Sequence, residues 1–549
     1  MKKLFTVLLS LAMLAIPASL FAGCGPASGS DTIVFAIGSD WGSLDPYTST
    51  NSMTGHYLTV DKIYDKLVYI DEEGEVSPRA AKSWTLADDG MSLTIALDEN
   101  AKWHDGEPVT ADDWIWTIEY MVSPTTAQHG FGKYLRGVDP ETGVALQYAE
   151  GAAEGEEAAL GAEKEGDHTL KLTFNQAIND VDQWFVSATT TVCVLPEHLL
   201  SDNAFADVMN DSFFSLPIGS GPCIVESIEA SNNIVLRANE AYQLGAPGFD
   251  KLIIQYRSSD TWVPGIAAGD IDVCQNTLTP IAVSGYENNG NVKMRALGDT
   301  VDSGLNLMIN CSQVPRKIRQ AIDRSIDKER IADVLFVGKA EASYSLVLPG
   351  NEYYAEGIGG RNVEQAGQLV EEAIGDGVWT ADKVLNIYYN GTNNEPVAKQ
   401  VESDLTAIGL KVSVKTGETN MINAQMFADM SGYECQIVNL GTTAELPTKQ
   451  LVTFLEAYDS YSHTHIFKAE SKPGFEADYN TFLALYGKMT SATDLAETVK
   501  AFQEWEYENV PQSELTTYQT VEVTSARVSG IDTFASSYYN MATWEWAVV

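Results

Sequence analysis

The spacing of apolar and polar residues changes period just past the middle of the chain. In Val301–Gly338, VDSGLNLMINCSQVPRKIRQAIDRSIDKERIADVLFVG, Leu305, Leu307 and Ile309 alternate with Asn306 and Met308, the period-2 pattern of a strand. Ser312 and Pro315 then supply a helix start. Ile318, Ala321, Ile322 and Ile326 fall on one helical face, Asp327 can cap a second helix, and Ile331, Val334 and Leu335 repeat the spacing until Gly338 ends it. A strand running into two helices at this position is read as the segment that carries the chain from one lobe to another. Bending at such crossings is the expected working motion.

The same patterns recur on either side. Thr32–Gly38 (TIVFAIG) predicts a buried strand, and the turn-rich loop SDWGSLDPYTSTN follows it at the end where open α/β sheets bind ligands. Gly55–Tyr69 places Tyr57, Val60, Ile63, Tyr64 and Leu67 on one helical face. Residues 70–190 differ: short strands at Ser92–Leu97 and Thr169–Phe174, and a helix that Thr110 caps with Asp113 three residues on, predict an α+β insertion. A hairpin at Ile224–Ile228 and Ile234–Ala238, a strand at Lys251–Tyr256 and a helix at Thr261–Ala268 come next. From residue 298 a second α/β unit holds strands at Val384–Tyr389, Leu410–Val414 and Gln436–Leu440 and a helix at Glu395–Ile408. Leu515–Tyr518 and Gly530–Phe534 precede an aromatic tail, up to Trp544 and Trp546, that is expected to pack on a core. The fold class is α/β with a mixed α+β insertion.

At 549 residues the chain exceeds one core, so two or three domains are expected. With 11 Trp, 24 Tyr and 18 Phe, the net charge of −42 belongs to a folded surface and not to a disordered chain. Against 76 acidic residues, 34 basic ones would leave nucleic acid repelled at long range, and it is excluded as a partner. Residues 1–23 read as a targeting segment: Lys2 and Lys3 precede the largely apolar Leu4–Leu20, and Phe21-Ala22-Gly23-Cys24 follows. This resembles a bacterial lipoprotein signal, which implies acylation at Cys24 and a flexible spacer over residues 24–30. The other cysteines, Cys193, Cys223, Cys274, Cys311 and Cys435, lack CxxC or zinc spacing and are expected as buried thiols, with no disulfide and no metal.

Four motifs invite chemistry. Trp103-His104-Asp105-Gly106 reads as a turn before a capped helix more readily than as a catalytic pair. Gly219-Ser220-Gly221-Pro222 can turn tightly but lacks the phosphate loop's Lys-Ser/Thr. Asp270 and Asp272 could share a cation, although Gly269 makes them a helix stop first. Gly151–Asp167 is expected as a solvated acidic loop.

Seven stretches in register resemble one family: IYDKLV at 63–68, PRAAKSW at 78–84, AKWHDGEPVTADD at 101–113, PIGSGPC at 217–223, AAGDIDV at 267–273, RQAIDRSIDKERI at 319–331, and Val510–Leu515 with Val528-Ser529-Gly530. They are similar to the solute-binding proteins of peptide-type ABC importers, solute-binding family 5, over about residues 31–549. The resemblance implies a type II periplasmic-binding-protein-like bilobal fold with three domains. Lobe one comprises 31–69, 191–297 and 526–549, an inserted domain 70–190, and lobe two 298–525. It also implies a receptor that closes on a solute and delivers it to a permease. Peptide-binding members share a Gly-Trp-x-x-Asp stretch whose Asp takes the peptide's amino terminus. Here the corresponding stretch is Asn439–Pro447, with Thr443 at the Asp position and Glu445 two residues on, and no Arg lies in Tyr388–Asn393 for a ligand carboxylate.

The expected ligand contacts are Ser39, Asp40 and Trp41 from the first lobe and Asn390, Asn439, Thr443 and Glu445 from the second. A longer peptide held through its backbone ranks first, an oligosaccharide second and a metal complex third. A secreted glycosidase would need two carboxylates facing across a cleft, and nothing in the sequence pairs them, so no catalytic residue and no cofactor are assigned. The expected form is a monomer, lipid-anchored on the outer face of the cytoplasmic membrane.

Overall fold

A computed structural model describes residues 31–47, 54–70, 75–126, 129–148, 159–188, 192–229, 233–275, 278–296, 303–311, 313–336, 338–347, 351, 353–389, 394–416, 434–441, 484–485, 495–531 and 541–549. Strand β1 (Thr32–Ile37) is buried along its whole length. Ile33, Phe35 and Ile37 enter one core, while Ala36 faces another built on Trp262, Val263 and Ile266. Burial on both faces is why this strand reads as a continuous apolar run.

Helix α1 (Thr54–Ile63) begins where Ser39 Oγ accepts the Gly55 amide at 2.9 Å. A Cβ on Gly55 would lie 2.3 Å from the Ser39 carbonyl oxygen, so the close approach requires glycine. The helix stops at Ile63, six residues short of the sequence expectation, and β2 (Val68–Ile70) pairs with β3 (Val76–Pro78) instead. The cause is tertiary: the Gly221 amide donates to the Ile63 carbonyl at 2.9 Å, and Ser220 Oγ accepts the Asp65 amide.

The insertion folds on β4 (Ala81–Leu86), β5 (Ser92–Leu97), α2 (Ala111–Met121), β6 (Ala162–Gly166) and β7 (Thr169–Thr173), with strand order β4-β5-β7-β6. Asp113 Oδ2 accepts the Thr110 amide at 2.8 Å, closing the expected cap. β6 corrects the reading of 151–167 as a loop throughout, because its last part is an edge strand. It pairs with β7, and its charged side chains meet partners on other elements, Glu163 with Arg136, Lys164 with Asp112 of α2 and Glu165 with Lys171 of β7, which a count of charges along the chain does not reveal.

The chain then returns through β8 (Cys223–Glu229), β9 (Asn233–Ala238), β10 (Lys251–Tyr256), α3 (Trp262–Ala268), β11 (Val273–Cys274) and β12 (Val292–Ala296). Beyond it lie β13 (Ser303–Ile309), α4 (Arg316–Ser325), β14 (Ala340–Ala342), α5 (Val363–Gly375), β15 (Val384–Tyr389), α6 (Glu395–Ala407), β16 (Lys411–Thr416), β17 (Cys435–Gly441), α7 (Leu495–Asn509) and β18 (Gln512–Tyr518). β19 (Val521–Ser525) follows, and β20 (Val528–Ser529) pairs with β21 (Ala547–Val548).

Two sheets result, ordered β12-β19-β11-β1-β10-β9-β8 and β14-β18-β13-β17-β15-β16. β13 is central in the second, with Leu305, Leu307 and Ile309 in a core shared with Ile318, Ala321 and Ile322 of α4. The chain leaves the first sheet after Ala296 and enters the second at Ser303, then leaves at Tyr518 and rejoins at Val521. Val521–Ser525, grouped with the second lobe from sequence, pairs with β11 and β12 of the first sheet. Among the described residues Cys193, Cys223, Cys274, Cys311 and Cys435 are all buried and none is in a disulfide.

Candidate functional site

β1 runs parallel to β10 and β11, so Ile37, Tyr256 and Cys274 end at one edge of the first sheet. Because β19 is antiparallel to β11, its first residue lies at that same edge, where Leu278 and Val521 exchange backbone hydrogen bonds at 2.8 and 3.0 Å. In the second sheet β15 and β17 are parallel and β13 is antiparallel to both β17 and β18. Ser303, Gly441 and Tyr518 consequently meet at one edge. Both crossings therefore join the carboxyl-end edges of the sheets, the edges at which open α/β sheets bind ligands.

At the first edge the Gly38 amide donates to Gln275 Oε1 at 2.5 Å. Ser39 spends an acceptor on α1, and Asp40, exposed, accepts the Gly42 amide at 3.1 Å. Trp41 is only 9% exposed and belongs to the core, so its ring braces the loop and offers little face. His56 Nδ1–H donates to the carbonyls of Trp41 and Ser43, and burial lowers the pKa of this ring. Asp40 is thus the exposed group of the three. At the second edge Asn439 is exposed and its Oδ1 accepts the Tyr518 hydroxyl at 2.9 Å. Asn390, Thr443, Glu445 and Cys24 lie outside the described residues. Gln275 and Tyr518 complete the two edges without having been singled out from sequence, since only strand pairing brings them there.

The motifs with other possible chemistry have structural duties. His104 Nδ1 accepts the Gly219 amide at 3.2 Å, so Nε2–H is the donor to the Gly221 carbonyl at 3.0 Å. Burial pushes its pKa down to about 4, which keeps the ring neutral. Asp105 pairs with His198 instead. A Cβ on Gly219 would come within 1.9 Å of the Ile63 carbonyl oxygen, so this turn seats a helix end and not a phosphate. Asp272 accepts the Val34 amide at 2.9 Å and Arg527 Nε at 2.6 Å, tying β1 to the turn after β19. A groove of about 890 Å³ in the insertion, lined by Lys133, Tyr134, Leu146 and Phe174 among others, lies away from both edges. Among the described residues there is no cluster of ligand side chains able to hold a metal, and no helix long and apolar enough to cross a membrane.

The oligopeptide-binding protein AppA of Bacillus subtilis is 24% identical to this chain over 501 residues, covering 85% of each. The structure of AppA from Bacillus subtilis with a nonapeptide superposes with a TM-score of 0.66 at 19% identity, over 94% of this chain and 99% of that one. NikZ from Campylobacter jejuni with Ni(L-His) gives 0.66 at 18% identity, over 94% and 100%. These superpositions establish the bilobal type II fold. The model of the bacterial extracellular solute-binding proteins, family 5 middle region, matches residues 75–462. With the family model matching residues 75–462, well over half of its length, the chain belongs to the bacterial extracellular solute-binding proteins of family 5.

Proposed function

We propose that this protein captures a peptide, by preference an oligopeptide, between its two lobes and hands it to the transmembrane subunits of an ABC importer. The observation that carries the reading is topological. Two sheets are joined by two short crossings at their ligand-binding edges, one of them only Gln519 and Thr520 long. Small rotations there move Asp40 relative to Asn439. A ligand drives such closure only through higher affinity for the closed form, so contacts from both lobes are required. Asp40, on the loop that Ser39 and Trp41 brace, forms one side of the grip, and Asn439, with Asn390, Thr443 and Glu445, the other. Asp40 and Glu445 are the groups for a cationic end, while the amide and hydroxyl groups bond peptide backbone. The resemblance to an oligopeptide-binding protein supports a peptide over an oligosaccharide.

In this reading the ligand leaves chemically unchanged, and the protein is a monomer held by a lipid on Cys24 at the outer face of the cytoplasmic membrane. Native mass spectrometry of protein purified without refolding tests it. A retained peptide mass that is released intact is expected. A retained glycan, or turnover of added peptide, would contradict it.

A further inference from the structure

The residue after β10 is an arginine with an unusual partner. The Arg257 amide donates to the Ile37 carbonyl at 2.8 Å, and its own carbonyl accepts the Trp262 indole N–H at 3.0 Å. Its backbone is therefore fixed beside the last residue of β1, next to Gly38 and Ser39. The half-buried guanidinium donates through Nε and Nη2 to Gln255 Oε1 at 3.0 and 2.8 Å, and Gln255 is itself 5% exposed. A buried amide thus sets the direction of the fork without neutralising it.

Arg79 is matched to Asp61 and Asp65 and Arg527 to Asp272, while the buried Arg319 donates to the carbonyls of Val314, Asn509 and Val510. Among the described residues no carboxylate pairs with Arg257, in a chain with 76 acidic residues and 34 basic ones. Asp260, three residues away, accepts the Ser258 hydroxyl instead. Nη1 has no acceptor among the described residues.

We propose that Arg257 is an anchor for a carboxylate of the bound solute, so that the receptor selects peptides bearing a free C-terminus or an acidic side chain. The inference rests on the peptide-receptor reading and names the substrate class of the same site. A pre-oriented guanidinium is suited to a planar carboxylate, and its site at the strand ends lets an incoming anion complete the hydrogen-bonding that Gln255 leaves open. The strongly acidic surface would disfavour an anionic solute, so a local cation is what such selectivity needs. It also supplies from the first lobe the carboxylate partner that Tyr388–Asn393 lacks in the second.

The test compares three pools of pentapeptides by calorimetry: amidated peptides without Asp or Glu, the same peptides with free C-termini, and amidated peptides with one Glu. Wild-type protein is expected to bind at least one carboxylate-bearing pool about tenfold more tightly than the neutral pool. In Arg257→Gln that ratio falls to about one, and in Arg257→Lys, which keeps charge without the fork, it takes an intermediate value. Circular dichroism melts establish that both variants fold, and the wild-type ratio decides the matter if one does not. Equal affinity of wild type for all pools, or a preference that survives in Arg257→Gln, overturns the anchor and leaves the peptide receptor standing. Failure of wild type to bind any pool overturns both.

Discussion

Each lobe buries a cluster of charged side chains, and the two are balanced in opposite senses. In the first, Asp61 and Asp65 are enclosed with Lys62, Lys66 and Arg79, every one of them nearly inaccessible. Arg79 reaches Asp61 at 3.1 Å and Asp65 at 2.6 Å, and Lys66 reaches Asp61 at 2.8 Å. Arg79 also lies over Trp544 and Lys62 over Trp546, which seats the aromatic tail on this cluster. Burial works against the charge of Asp61, yet Lys66, Arg79 and Lys62 together outweigh it and hold the carboxyl well below the usual range. At Asp65 burial prevails over Arg79, and the pKa is raised.

In the second lobe Asp323, Glu506 and Glu514 are buried with one ammonium among the described residues, Lys328, which pairs with Asp323 at 2.7 Å and lies over Tyr344. Glu506 accepts the Ser345 hydroxyl at 2.7 Å and the Leu346 amide, and Glu514 accepts Gln512 Nε2 at 2.7 Å. Burial, opposed by Lys328, pushes Glu514 up to about 7, and burial together with Glu514 raises Glu506. The difference teaches that a buried carboxylate stays charged only where several cations reach it, as at Asp61, and is pushed toward its protonated form at Asp65, Glu506 and Glu514, which meet fewer. Asp61, held by three cations, is the fixed rivet of the first cluster, and the second cluster takes up protons.

The largest effect is expected at the rivet. Arg79→Met leaves two buried carboxylates short of their shared partner and should cost about 3–5 kcal/mol in denaturant unfolding at pH 8. Lys328→Met should cost about 3 kcal/mol at pH 8 but distinctly less at pH 5, because Glu514 can be protonated there. A cost independent of pH would break the comparison. Glu514 sharpens it further. Its folded pKa of about 7 exceeds its ordinary 4.5, so its stabilising contribution is complete below 4.5 and is lost as pH rises through 7. Wild-type stability should therefore fall by roughly 2 kcal/mol between pH 5 and pH 8 from this group, and Glu514→Gln should flatten that slope. The smallest effect is expected at Lys339, whose exposed pairing with Glu287 joins the two lobes at 3.4 Å. Lys339→Ala should leave the melting temperature within experimental error, as exposed pairs are screened.

Neither cluster is legible in the sequence. DKIYDK at 61–66 looks like an amphipathic helix with a wet side, because periodicity marks the apolar face and says nothing of what covers the polar one. Strands β1, β5, β10 and β15 lie where alternation or an apolar run places them, since one-sided or two-sided burial is written directly into residue order. α1 ends early and β6 forms for reasons that reside in other segments. The site divides the same way. Asp40 could be nominated as a candidate because it follows an evident strand. Gln275, 237 residues from the Gly38 amide it accepts, becomes its neighbour only through the pairing of β1 with β11. Arg257 sits in QYRSSD, which reads as an ordinary turn until β10 is laid beside β1.

The central claim is that a bound peptide draws the two sheets together about their crossings. Nitroxide labels at Glu240→Cys and Glu364→Cys, exposed positions on the first and second lobes, report the distance between them by pulsed electron resonance. With the free-C-terminus peptide pool at concentrations calorimetry shows to be saturating, the distribution should shift to a shorter and narrower distance. A distribution unchanged by bound peptide would contradict the account.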